Sequence, residues 1–435
     1  MLKCSARTGR ARRGMLAIIG AAALAWAAFA MTLVGPTAAS RAAAGPAVFT
    51  FAVVGDSQGR NQVWDAAVNA MNSSRSELVL HCGDMTAFGT RDQYQDFVDR
   101  ANRLRMPWYP VPGNHDVRTS GTLFTLMTGK KSYYSFIEKG YRFVGLDDSA
   151  GFIDSAQMNW LSSELRTKGR KFVFMHIPLY DPIPGGDHCL SDTAQAAELS
   201  RLFSENEVLA VFSGHVHIYN SRESGGVLYV TTGGAGASLY APPDQGGFYH
   251  YTLVQVDGGK VRAEAKRINV VLDEPRVSVI GNGRKREFGL GELAAMQSIE
   301  VNAAFQNQFG NLRDGAAYTG VNVAKLIEAV GGMNPGQTLR VTCDDGYAQD
   351  FAFENVHVQG KWAELQGPML LAFEKNGVAP PEWMDGPRLV LAAPDGVYSN
   401  DDCSRTSMPG QGWNVYKSAG ARWARRVARI EIKAK

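Results

Sequence analysis

The sequence predicts an α/β fold of stacked sheets and helices, and three observations carry that expectation. Short apolar runs rich in β-branched and aromatic residues alternate with stretches whose apolar residues recur at helical spacing. Five of the runs close on a polar cluster of Asp, Asn or His, four of them behind a glycine. At 435 residues the chain is long enough for two domains and a large buried core.

The first 45 residues read as a leader rather than as part of the fold. Arg7, Arg10, Arg12 and Arg13 form a basic region, an apolar run covers 15–34, and small residues with Ala-x-Ala spacing cover 37–45. The stretch Ala11-Arg12-Arg13-Gly14-Met15-Leu16 resembles a twin-arginine export signal. The apolar run is also about long enough to span a bilayer, so an uncleaved anchor is the competing reading. The expectation is therefore an exported protein, periplasmic or extracellular, touching a membrane only if 15–34 is retained. Hydrophobic content of 45%, charged content of 20% and a net charge of +3 give no argument for nucleic-acid binding. Past the leader stand Cys82, Cys189, Cys343 and Cys403, of which Cys343 and Cys403 are candidates for a disulfide.

Taken in order, residues 49–54 form a buried strand that ends in Gly55-Asp56-Ser57-Gln58, and a helix follows over 62–71. The strand 78–82 ends in Gly83-Asp84, and 91–104 is helical. Residues 108–111 lead into Gly113-Asn114-His115-Asp116, after a Pro-Gly turn signal. A hairpin pair, 133–136 with 141–146, precedes a helix over 155–167 capped by Asp154 or Ser155. The strand 171–175 runs into His176, 180–189 is a Pro- and Gly-rich loop, and 193–206 is helical. The strand 208–212 ends in Gly214-His215-Val216-His217, and 228–232 in a glycine-rich turn. Strands 249–256 and 260–268 close this part as a hairpin around Asp257-Gly258-Gly259.

Singly, each polar cluster could be turn chemistry. Together they place Asp56, Asp84, Asn114, His176, His215 and His217 at strand ends, the edge on which layered α/β folds bind ligands. Carboxylate, amide oxygen and imidazole suit Mn, Fe or Zn rather than calcium. A cluster this large holds two divalent ions, which activate a water to hydroxide and clamp an in-line displacement at phosphorus. Asp84 is the candidate bridging carboxylate. His215 and His217 would share a side on a regular strand, and a turn would direct them to different ions. His115 is the candidate to protonate the leaving oxygen, with Asp116 holding its tautomer.

This series of blocks resembles the calcineurin-like metallophosphoesterase family over roughly residues 49–268. The resemblance implies a four-layer αββα sandwich followed by a smaller α+β domain. It implies Asp56, Asp84 and His217 on one metal, and Asp84, Asn114, His176 and His215 on the other. The family's first block usually reads Asp-x-His, whereas Gln58 stands at the third position here, an oxygen ligand weaker than imidazole. Ala87 occupies the place of a purple acid phosphatase tyrosine, so a tyrosinate-bound ferric ion is not expected.

The expected domains are 46–271 for this part and 276–435 for the second, with a linker near 269–275. In the second, Tyr318-Thr319-Gly320-Val321 leads a turn and helix, 339–353 is a strand pair, and 423–432 closes the chain. That order is similar to the molybdopterin-binding domain of the sulfite oxidase family. The family's metal-ligating cysteine has no counterpart, since Ala304-Phe305-Gln306-Asn307 occupies its neighbourhood; a degenerate relative without cofactor is expected. The leading reading is an exported dinuclear-metal hydrolase of small-molecule, lipid or nucleotide phosphate esters, mono or di. The alternatives are a catalytically weak binding protein, suggested by Gln58, and a molybdenum oxidoreductase fused to a phosphoesterase.

Overall fold

The computed structural model describes residues 49–433, so the expected leader lies outside the described residues. Residues 45–435 cluster as one compact unit. Among the described residues no helix is long and apolar enough to cross a membrane.

The first half alternates strand and helix. In chain order it contains β1 (Phe49–Val54), α1 (Asn61–Ser73), β2 (Val79–His81), α2 (Arg91–Ala101), β3 (Trp108–Pro110) and α3 (Gly121–Thr128). Then come β4 (Tyr134–Glu138), β5 (Tyr141–Gly145), α4 (Ser155–Leu165), β6 (Lys171–Phe174), α5 (Thr193–Glu205) and β7 (Val208–Ser213). It ends with β8 (Tyr219–Ser224), β9 (Val227–Thr232), β10 (His250–Asp257) and β11 (Lys260–Arg267). Two sheets result, ordered β11-β10-β1-β2-β3 and β4-β5-β6-β7-β9-β8. Within them β1, β2 and β3 run parallel, as do β5, β6, β7 and β9.

Alternation along the strands makes this a four-layer αββα sandwich. Phe51 and Val53 of β1 point between the sheets, against Phe143, Phe172 and Phe212, with ring centroids 5.2 to 5.8 Å from Phe51. Ala52 and Val54 point the other way, onto Trp64, Val68 and Met71 of α1 and Phe97 of α2. On the far face of the second sheet, Val144, Val173 and Val211 meet Leu161 of α4 and Leu199 and Phe203 of α5. Both faces of each sheet are thus covered, as parallel sheets require. Asp154 caps α4 by accepting from the Gln157 amide at 2.8 Å, and Asp192 caps α5.

The second half is α+β. Its strands are β12 (Val277–Gly281), β13 (Arg284–Phe288), β14 (Ser298–Gln306), β15 (Leu312–Asn322), β16 (Thr338–Cys343) and β17 (Ala348–Ala352). They continue with β18 (Met369–Lys375), β19 (Arg388–Leu391), β20 (Val397–Tyr398) and β21 (Val427–Lys433), and the intervening helices are short. Two five-stranded sheets, β13-β12-β21-β16-β17 and β19-β18-β15-β14-β20, enclose one core around Val279, Val341, Ile430, Val321 and Leu370. Tyr318, expected in a turn, lies within β15, and the helix after it is a single turn, Val323–Leu326. Cys343 and Cys403, left open as a disulfide candidate by the sequence, are both buried free thiols, and Cys403 Sγ faces Ser407 Oγ and the Ser418 carbonyl.

Candidate metal centre

Asp56, Asp84, His176 and His215 each follow the carboxyl end of a strand by two or three residues, after β1, β2, β6 and β7 respectively. Parallel pairing brings those ends to one edge. Asp56, Asp84 and His215 have φ of 58°, 56° and 66°. This left-handed conformation costs a non-glycine residue roughly 1 kcal/mol or more and clusters at functional sites. Hydrogen bonds hold the strain in place. The His215 amide donates to both oxygens of Asp56 at 3.0 and 2.9 Å, and the His115 amide donates to Asp84 Oδ1 at 2.9 Å. Gly113 and Gly214 are required by close approach, because a Cβ on either would collide with the carboxylate of Asp84 or Asp56.

Two donor groups form, and they share one residue. Ligand atoms of Asp84, His176 and His215 lie within 4.8 Å of one another, as do those of Asp56, Asp84 and His217. Asn114 Oδ1 sits 3.0 Å from both His176 Nε2 and His215 Nδ1, joining the first group. The turn at His215 sends that ring to the first group, while His217 Nε2 lies 3.4 Å from Asp56 Oδ1 in the second.

The protons of these rings are committed elsewhere. His176 Nδ1 donates to the Cys82 carbonyl at 2.8 Å, and His217 Nδ1 donates to the Ser238 carbonyl at 2.6 Å. Each Nε2 therefore presents a lone pair to other acceptors: His176 to Asn114 Oδ1 and, at 3.4 Å, Asp84 Oδ1; His217 to Asp56. Acceptors facing acceptors repel unless cations lie between them, so the residues present fit two metal ions, with carbonyl contacts fixing the tautomers. Burial pushes the Asp56 carboxyl up to about 7 and the His217 ring down to about 4. Both directions express desolvation, the cost of taking the charged form of each group out of water.

Gln58 also reaches the centre. Its Nε2 donates to Asp84 Oδ2 at 3.2 Å, and its Oε1 is buried without a partner. Rotation of that amide turns the orphaned oxygen to the same carboxylate, the orientation a cation there would favour.

One expectation needs correction. Asp116 does not reach the His115 ring; its carboxylate accepts from the amides of Gly113, Thr86 and Met85 and from Thr86 Oγ1, at 2.9 to 3.2 Å, and so ties the loop after β2 to the loop after β3. The Ala87 carbonyl, 2.9 Å away, takes the His115 Nδ1 proton instead. His115 Nε2 lies 3.0 Å from Arg118 Nη2, which places the ring and that guanidinium side by side.

Four further residues were not read from the sequence. Arg118 carries a weak signal, three residues after His115. Tyr240 packs on His217 at 4.2 Å between ring centroids, and His188 lies 6.4 Å from His215, both carried on loops. Arg426, far along the chain, donates to Ser238 Oγ, the residue whose carbonyl fixes His217. No local pattern announces that link.

Residues 49–219 match the family model described as calcineurin-like phosphoesterase. The chain is 30% identical over 164 residues to a probable glycerophosphodiester phosphodiesterase of Arcobacter nitrofigilis, covering 33% of this chain and 57% of that protein. It is 25% identical over 261 residues to purple acid phosphatase 5 of Arabidopsis thaliana, covering 56% of this chain and 61% of that protein. The chain thus spans less than two thirds of the length of these relatives. Among solved structures it is similar to a dimetal phosphatase of Danio rerio, with a TM-score of 0.42 and 15% identity, covering 51% of this chain and 97% of that one.

Proposed function

We propose, for a chain whose residues 49–219 form a calcineurin-like phosphoesterase domain, the hydrolysis of phosphate mono- or diesters at a centre of two divalent transition ions. The observation that carries this reading is Asp84, common to both donor groups, with unprotonated ring nitrogens and carboxylate oxygens turned inward on either side of it. A named phosphodiesterase and a named phosphatase among the relatives support ester hydrolysis without choosing between the classes.

Asp56, Asp84 and His217, with the Gln58 amide oxygen, would hold one ion. Asp84, Asn114, His176 and His215 would hold the other. When bound, the pair supplies Lewis acidity at the phosphoryl oxygens and lowers the pKa of a water. The protein's own contribution is preorganisation. Asp116 locks two ligand loops together, Ala87 and Arg118 fix the His115 ring between them, and Arg118 offers guanidinium donors at the mouth of the centre, where developing charge on phosphoryl oxygens would be stabilised.

Elemental analysis of the purified protein joined to turnover of p-nitrophenyl phosphate and bis(p-nitrophenyl) phosphate tests the reading. Two transition ions per chain are expected, and Asn114→Ala or His215→Ala should lower turnover by roughly a hundredfold or more. Unchanged turnover in both variants would refute the assignment. Export through the leader, and descent of residues 276–435 from a molybdopterin-binding domain that has lost its cofactor, belong to the same proposal. Molybdenum in the elemental analysis would overturn the second of these.

A further inference from the structure

A cleft of about 770 Å³ leads away from the metal centre, past Gln58, His115 and His217, and its far wall is built by the second half of the chain. That volume greatly exceeds a phosphoryl group and falls in the range that encloses a substrate of nucleotide size. The wall comes from the start of β15 and from the residues just before β21, and it is rich in arginine.

Most of this positive charge is already matched. Arg388 is buried against Asp314, with Asp385 at 3.8 Å. Arg426 is buried against Asp344 at 2.8 Å and Asp345 at 3.4 Å. Arg425 differs. Its side chain is 53% exposed and makes no hydrogen bond among the described residues, and its ion-pair partner, Asp385 at 3.7 Å, is a carboxylate it shares with Arg388. Arg313 is likewise exposed, donating only to the Leu312 carbonyl at 3.2 Å. Arg425 also stands near enough to the centre to act electrostatically on His217 and Tyr240. Arg118, on the opposite wall, is engaged by His115 and by Ala87.

A phosphodiester carries one negative charge, which two divalent ions already satisfy. A half-exposed guanidinium that makes no hydrogen bond and shares its carboxylate neighbour with a second arginine keeps charge and donors for a further oxyanion, which it can grip by two parallel hydrogen bonds. We propose that the second half of the chain forms a subsite, centred on Arg425 with Arg313, for a second phosphate group on the substrate, so that the preferred class is phosphate esters whose alcohol part itself carries a phosphate. This rests on the hydrolase reading above.

A matched pair of probes separates the two claims: the 5′-(p-nitrophenyl phosphate) ester of thymidine, with and without a 3′-phosphate. The reacting bond and leaving group are the same in both, so their ratio of kcat/KM isolates the added charge. The wild-type ratio should be roughly tenfold or more in favour of the 3′-phosphorylated ester, and should shrink as salt is raised. Arg425→Gln should bring the ratio close to one, mainly through KM, and Arg425→Lys should restore part of it. Affinities of thymidine 3′,5′-bisphosphate and thymidine 5′-phosphate for the manganese-loaded protein, by calorimetry, give the same comparison without turnover. If neither ester, nor p-nitrophenyl phosphate, nor bis(p-nitrophenyl) phosphate is hydrolysed but the bisphosphate binds more tightly and Arg425→Gln removes the advantage, the hydrolase reading fails and the subsite stands. Equal wild-type affinities, or an advantage that survives in both Arg425→Gln and Arg313→Gln, would overturn the subsite.

Discussion

Gln58 brings an amide oxygen where an imidazole nitrogen would hold a borderline cation more tightly. Its Nε2 is turned to Asp84 while its Oε1 has no partner, so the side chain is poised between holding the carboxylate and holding an ion. Gln58→His should therefore tighten the more weakly bound of the two ions, by about tenfold. Titration against a competing chelator measures this, and an unchanged or weakened affinity would place Gln58 outside the coordination. The other ligand candidates were legible because each is written beside a glycine or at a strand end, and turn chemistry alone does not produce so many together. The partners of His115 were not. A backbone carbonyl fixes its tautomer, and every residue has a backbone carbonyl, so nothing in the side-chain pattern singles out Ala87.

At the level of elements, the strands of the first half were readable because buried parallel strands must be apolar on both faces. β8 was missed because it is an edge strand of polar residues, four of them exposed, whose partner is only β9. β13 was missed for the same reason, since Arg284-Lys285-Arg286-Glu287 is solvated along its length. The junction of the halves was illegible altogether, because its contacts join residues hundreds of positions apart. Arg60 Nη2 donates to the Met384 carbonyl at 2.7 Å, Phe88 stacks on Tyr347 at 5.9 Å, and Arg426, itself at φ 49°, reaches Ser238. Because the Ser238 carbonyl holds the His217 ring, Arg426→Ala should free that ring and lower the metal content from two ions per chain towards one. The ion held by Asn114, His176 and His215 should stay. Elemental analysis with spectroscopy of a cobalt-substituted sample reads this, and full occupancy at unchanged affinity would disprove the coupling.

For the whole molecule, the acidic residues of the cleft wall contribute a share of stability that depends on pH. Burial raises the pKa of Asp314, but Arg388 and Lys375 beside it more than offset this, and it lies below its ordinary value of 3.8. Asp385 is lowered in the same way, burial being outweighed by Arg425 and Arg388. A carboxylate whose folded pKa lies below the unfolded one contributes stability that is complete above the unfolded value and is lost as pH falls through the folded one. The stability these two carboxylates contribute should therefore be complete down to about pH 4 and be lost on further acidification, so Asp314→Asn should flatten the thermal-stability profile below pH 4 at the expense of stability at neutral pH. A variant whose acid limb matches wild type would rule out this origin.

The ligands of the centre are complete by His217, whereas Arg425 and Arg426 come about two hundred residues later. A polypeptide synthesised from its amino end has every ion-holding side chain available well before the opposite wall exists. On the subsite reading, a chain cut short in β20 would keep the candidate ion-holding side chains and Arg313 but lack Arg425, so discrimination among esters would come only with the segment that leads into the final strand.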